Sequence, residues 1–189
     1  VEYRGFGDST DTPTETGLIA DAEAAFNWVT GSAVGNVPSP KLGMDRVALF
    51  GQSLGGAVAI GLTRKLAAAG KAPGALVLEN TFLSTRAMAG QVFLPLRLPI
   101  VKELLRLPVV KDTWESQRRL TELAQHNLLP PVLFLSGQKD ELVPAEQMMQ
   151  LFAIARRGGV KAVFHKVEDG KHNDTWCVGG EDYYMAIKE

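Results

Sequence analysis

Apolar and polar positions alternate along the chain between two periods. Arg46-Val47-Ala48-Leu49-Phe50, Ala75-Leu76-Val77-Leu78-Glu79, Pro131 to Gly137 and Ala162 to Val167 are short, nearly unbroken apolar runs. Runs of that length, rich in Val, Leu and Phe, predict strands buried on both faces of a parallel sheet. Between and around them the spacing turns helical. Leu18, Ala22, Ala25, Phe26 and Val29 share one helical face with Asp21 and Glu23 outside it, and 54–69, 144–157 and 180–189 repeat the pattern. Strand, helix, strand in that order predicts crossover units and an α/β fold with a mainly parallel sheet.

One stretch interrupts this regularity. Residues 81–127 separate two predicted strands, and their apolar part, Val92 to Val101 and Leu104 to Pro108, is broken by Pro95, Pro99 and Pro108. Proline inside a helix removes a backbone donor and clashes with the preceding turn, so no long helix is expected there. An excursion of this length reads as a lid-like insertion in a single domain spanning 1–189. Thr113 to Gln125 is predicted as a helix facing water, and 31–43, with Pro38 and Pro40, as a loop.

Composition narrows the class. With 189 residues and 46% apolar content the chain suits one soluble domain, and 20 basic against 21 acidic residues give a net charge of −1. Such a balance supplies no electrostatic footprint for nucleic acid. The single cysteine, Cys177, excludes an internal disulfide. No run of about 18 uncharged apolar residues occurs, so no spanning helix is predicted. Val1 to Ser9 reads as a strand end running into a Gly-rich loop, and Tyr183 to Glu189 stops within a helical pattern. Both ends read as those of a fragment whose N-terminal strands are missing.

The chemistry centres on Phe50-Gly51-Gln52-Ser53-Leu54-Gly55-Gly56, where a predicted strand meets a predicted helix. Glycines two residues either side of a serine at a strand-to-helix corner form the nucleophile-elbow pattern, in which a side chain at Gly51 or Gly55 is expected to collide with backbone. A glycine-rich packing turn is the plainer reading of the same spacing. A serine hydroxyl needs a base and a group that orients the base. Of three histidines, His126 lies at a helix end, His165 lies within a strand, and His172 follows the last strand in Glu168-Asp169-Gly170-Lys171-His172-Asn173. Asp140 follows the preceding strand in Ser136-Gly137-Gln138-Lys139-Asp140. Parallel strands deliver all three loops to one edge of the sheet. Ser53, Asp140 and His172 are therefore the expected triad, in the chain order Ser, Asp, His. The Leu54 N–H, at a helix start, is the expected oxyanion donor. Glu79 is the rival acid, although Glu79-Asn80 reads better as ordering the start of the insertion. A metal site from His165, Asp169 and His172, or a nucleophilic Cys177, would each need further ligands or an activating environment; neither a metal nor a cofactor is expected.

These residues resemble the α/β-hydrolase fold family, and within it the bud-emergence-protein-like serine hydrolases near the group called α/β-hydrolase domain-containing protein 13. The resemblance rests on Tyr3-Arg4-Gly5-Phe6-Gly7-x-Ser9, Phe50 to Ile60, Glu79-Asn80-Thr81-Phe82-Leu83-Ser84, Ser136-Gly137-x-x-Asp140 and His172-Asn173-Asp174-Thr175-Trp176. It implies a three-layer fold, a nucleophile at Ser53, an acid at Asp140 and a base at His172. It also implies an intracellular, membrane-associated protein anchored by an N-terminal apolar segment, with relatives that remove palmitoyl groups from proteins. The chain departs from the family in having Glu2 where a strand-end Asp is usual, and in lacking the first strands, the anchor and the His-Gly stretch that supplies the second oxyanion donor.

The expected function is a serine hydrolase acting on carboxylic esters or thioesters, acyl-protein thioesters included, near a membrane surface. The 189 residues alone are expected to be inactive. Two other readings fit the residues: a non-catalytic α/β-hydrolase scaffold that binds a lipid or protein through the insertion, and a serine peptidase or amidase. Acyl length and oligomeric state leave no mark in the sequence.

Overall fold

A computed structural model describes residues 1–31, 37–92 and 112–188 of the chain. The proline-interrupted part of the predicted insertion, residues 93–111, lies outside the described residues, as does 32–36 of the predicted loop.

The four apolar runs form β1 (Ala48–Gln52), β2 (Ala75–Glu79), β3 (Val132–Gly137) and β4 (Ala162–Val167). They pair in parallel in the order β1-β2-β3-β4, with Gln52 level with Glu79 and Glu79 level with Leu135. The helices are α1 (Glu15–Thr30), α2 (Leu54–Ala68), α3 (Thr85–Val92), α4 (Ser116–Gln125), α5 (Ala145–Arg157), the short α6 (Thr175–Val178) and α7 (Gly180–Lys188). Thr14 starts α1 by accepting the Gly17 N–H on its side chain at 3.1 Å, which satisfies one donor that the first turn leaves open.

Alternate side chains of a strand point to opposite faces, and the core divides accordingly. Leu76, Leu78, Val132, Phe134 and Ala162 pack with Ile60 of α2, Leu120 and Leu123 of α4 and Met148 and Leu151 of α5. Val77, Leu133, Leu135 and Val167 pack with Tyr183 and Ala186 of α7 on the other face. The result is helix, sheet, helix in three layers. Phe134, Phe152 and Phe164 meet at ring-centroid distances of 5.7, 6.4 and 5.3 Å, contacts worth about 0.5–1.5 kcal/mol each beyond area burial.

Two expectations need correction. The first strand is parallel but only half buried: it bonds β2 on one side, and Phe50 is 51% exposed because no strand covers its other side among the described residues. The helix predicted from Thr113 begins at Ser116 and turns Leu120, Leu123 and Ala124 into the core. Its charged residues mark only the outer half of an amphipathic helix.

Candidate active site

All four strands run the same way, so the segments after their carboxyl ends gather at one edge. Ser53 stands there between β1 and α2 with φ 52° and ψ −119°, a conformation that costs a non-glycine residue energy and that the surrounding structure must hold. The hold is visible at both of its peptide groups. The Ser53 N–H donates to the Glu79 carbonyl at 2.8 Å, and the Thr81 hydroxyl donates to the Ser53 carbonyl at 2.7 Å.

The tightness of the turn explains its glycines, though not the pair that the spacing suggested. A Cβ at Gly51 would lie 2.3 Å from the Gly55 oxygen, and one at Gly56 would lie 2.5 Å from the Thr81 Cβ. At Gly55 a Cβ would meet nothing within 4 Å among the described residues, so the expected backbone collision is not found among them. Gly55 faces the uncovered side of β1, whereas Gly56 faces the segment after β2.

Asp140 and His172 meet directly, Oδ2 to Nδ1 at 2.8 Å, with side chains 1% and 6% exposed. The other carboxylate oxygen of Asp140 accepts the Leu142 and Val143 N–H groups, each at 2.8 Å, which fixes the carboxylate in one orientation. The hydrogen bond to Asp140 raises the His172 pKa above the ordinary histidine value; burial opposes the charge, and the fields of Asp140, Glu141 and Glu79 reinforce it. With Nδ1 committed to Asp140, a neutral imidazole carries its lone pair on Nε2.

Ser53 Oγ makes no hydrogen bond to His172 among the described residues. The two are coupled through the backbone instead: Gln52, next to Ser53, donates its side-chain amide to the His172 carbonyl at 2.9 Å. The Leu54 N–H opens α2 and has no acceptor one turn back within the helix. Beside it Leu54, Met88, Phe82, Trp114 and Val143 form an apolar cluster that joins both described ends of the insertion to the elbow.

Glu79 does not act as the acid partner of His172 in this geometry. It is 2% exposed, its Oε2 accepts the Tyr183 hydroxyl at 2.7 Å and its Oε1 is buried with no partner among the described residues. Burial pushes its carboxyl above the ordinary glutamate value, against the Tyr183 hydrogen bond and the charge of His172. His126 is exposed at the end of α4, His165 lies within β4 and Cys177 is exposed on α6. Among the described residues no three His, Cys, Asp or Glu side chains gather as a metal site. Gln52, Asn80, Thr175 and Tyr183 were not predicted as site residues; a non-glycine residue at a strand end, where Asn tolerates a left-handed backbone, was the one available signal, at Asn80.

No family profile matches the chain. It is 36% identical over 189 residues to Protein bem46 of Schizosaccharomyces pombe, which covers 100% of this chain and 55% of that protein. It is 37% identical over 197 residues to alpha/beta hydrolase domain-containing protein WAV2 of Arabidopsis thaliana, covering 98% of this chain and 57% of that one. An alpha-beta hydrolase from Vibrio vulnificus superposes with a TM-score of 0.73 at 21% identity, over 98% of this chain and 61% of the other. The chain has the α/β-hydrolase fold. Bem46 and WAV2 are among its homologues, and the chain spans about half the length of these curated relatives, 55% and 57%. Among the described residues no helix is long and apolar enough to cross a membrane.

Proposed function

We propose that this protein is a serine hydrolase that cleaves carboxylic esters or thioesters through an acyl-enzyme. Ser53 Oγ attacks the acyl carbonyl carbon while His172 Nε2 takes its proton. The carbonyl oxygen becomes an oxyanion, toward which the Leu54 N–H and the positive end of α2 are directed. Collapse breaks the bond to the alkoxide or thiolate, which leaves with the proton from His172. Water then attacks the acyl-enzyme by the same route and frees the acid and Ser53. Asp140 holds the ring with Nδ1 protonated and stabilises the imidazolium.

The observation that carries this reading is the 2.8 Å contact between Asp140 and His172, in a loop bonded to the residue beside a strained serine. Leu54 packs with the apolar cluster of Met88, Phe82 and Val143, and this apolar setting of the elbow supports an acyl substrate. Acylated-protein thioesters fall within the class, since the attack on the acyl carbon is the same and only the leaving atom differs.

A fluorophosphonate probe on the protein at its natural length tests the assignment. The native serine is expected to be labelled and Ser53→Ala to be blank; equal labelling of both would overturn the role given to Ser53. Paired oxygen-ester and thioester substrates of equal acyl length then read the leaving-group preference.

A further inference from the structure

The tripeptide Glu79-Asn80-Thr81 touches all three loops of the proposed site. Its outer members hold Ser53 by its N–H and its carbonyl. The middle one does something different. Asn80 is 1% exposed and adopts φ 44°, in the left-handed region that Asn tolerates better than most residues. Its Oδ1 accepts the Gly137 N–H at 2.9 Å, at the end of β3 where the Asp140 loop begins. Since a backbone N–H can only donate, that contact fixes which side-chain atom is oxygen and which is nitrogen. The Nδ2 group then points at the His172 loop. It donates to the Lys171 carbonyl at 3.2 Å, the His172 carbonyl at 3.1 Å and the Thr175 hydroxyl at 2.8 Å. The Thr175 hydroxyl in turn donates to the Lys171 carbonyl at 2.6 Å, which closes a small ring of bonds around the base loop.

We infer that Asn80 is a positioning residue for His172: one buried amide clamps the backbone of the base loop to the start of the acid loop, and so sets the register of the imidazole against Asp140. This rests on the hydrolase reading for its catalytic consequence, but the clamp is a matter of geometry. Its logic is that a histidine five residues beyond the end of a strand has no sheet hydrogen bonds of its own. The His172 carbonyl instead receives two side-chain amides, from Gln52 at the end of β1 and Asn80 just past the end of β2. Asn also suits this place by charge. Asp would keep the size and the Gly137 contact but would turn a second oxygen toward two carbonyl oxygens, replacing attraction by repulsion.

The clamp is separable from the ionisable groups around the ring. Asp140 and Glu141 approach His172 from the segment after β3, and Glu79 from the end of β2. Its own loop carries Lys171 and Asp174, with the Lys171 N–H bonded to the Asp174 carboxylate at 2.7 Å. None of these is removed by changing Asn80.

The test uses the protein at its natural length with Asn80→Asp, Asn80→Ser and Thr175→Val. The latter two open the ring from either side without burying a charge, so the test does not depend on Asn80→Asp folding. The first readout is the proton NMR resonance of the His172 Nδ1–H, expected strongly deshielded by its 2.8 Å bond to Asp140. It is expected to shift or broaden in folded variants whose remaining amide spectrum is native. The second is kinetic: kcat is expected to fall on the order of 10²-fold with KM little changed, the signature of a misplaced catalytic group. Folded variants with the native His172 resonance and native kcat would overturn the inference. If the native protein failed to take a fluorophosphonate, the hydrolase reading would fall, while the NMR readout would still decide whether Asn80 positions His172.

Discussion

Tyr183 on α7 and Glu79 at the end of β2 form a buried hydroxyl-to-carboxyl hydrogen bond of 2.7 Å, across 104 residues of sequence. Burial raises the Tyr183 pKa, helped by Glu79, and the same burial raises that of Glu79. Each is therefore kept neutral more readily than in water, and a neutral pair is cheap to bury. Tyr183→Phe would strip Glu79 of this donor and should lower stability by about 1–3 kcal/mol, read from urea unfolding at neutral pH.

Glu79→Gln should behave differently. Because the folded pKa of Glu79 is raised, the native state holds the proton longer than the unfolded chain does. Its contribution to stability is present below the unfolded value of about 4.3 and is lost as pH rises through the folded value. Gln keeps an acceptor for Tyr183 and cannot ionise. Urea midpoints measured at successive pH values should show a decline across this window in the native chain that is absent in the variant.

In the proposed mechanism the raised pKa of His172 sets the pH profile. The base must be neutral, so kcat/KM should climb as pH rises, with a midpoint above the ordinary value of about 6.5. Asp140→Asn removes the largest cause of that shift. The midpoint should move to lower pH, and kcat should fall roughly 10⁴-fold because the ring loses its orienting partner. A profile with the same midpoint in both proteins would argue against His172 as the titrating base.

At the elbow, Gly51→Ala places a methyl 2.3 Å from backbone that cannot yield without unwinding the start of α2. Loss of soluble folded protein is expected. Gly56→Ala presses on the side chain of Thr81, which can shift a little. That variant should fold with a loss of about 1–3 kcal/mol and lose activity, since the hydroxyl it displaces holds the Ser53 carbonyl. Thermal melts beside labelling by the fluorophosphonate separate the two effects.

The Arg119–Glu15 ion pair joins α4 to α1 with both side chains largely buried, and Glu15 also accepts the Trp114 N–H at 2.9 Å. Glu15→Ala leaves a buried guanidinium uncompensated and should cost about 3–5 kcal/mol. Lys65→Ala, which breaks the exposed pair with Glu23, should change stability by less than about 1 kcal/mol. Chemical denaturation of the two variants side by side checks the contrast.

The strands were legible as short apolar runs, as parallel sheets require, and the placing of Ser53, Asp140 and His172 at one sheet edge was legible because each follows such a run. What the sequence concealed has a physical reason in each case. Asn80 acts on backbone carbonyls, which carry no residue identity, so no pattern at 171–175 announces its partner. Tyr183 and Glu79 meet only after the chain has wound across the sheet. The charges of 116–125 display the wet side of α4, while Leu120 and Leu123, which carry the packing, are spaced like any surface helix. Gly55 fits the elbow spacing, yet beside Gly51 the steric need lies at Gly56, where Thr81 after β2 approaches the turn.

The strand order has a consequence for distance. Ser53 leaves β1 and Asp140 leaves β3, with β2 between them. Neighbouring strands lie about 4.7–4.9 Å apart, so serine and aspartate stand roughly 10 Å from one another at the level of the sheet. No carboxylate spans that gap to a hydroxyl. A flat ring with a nitrogen on each side spans most of it, and it has to arrive from β4, outside the pair it joins. In the proposed mechanism the spacing of the sheet acts as a ruler for proton transfer, and the intervening strand end supplies Asn80, whose amide holds the His172 carbonyl.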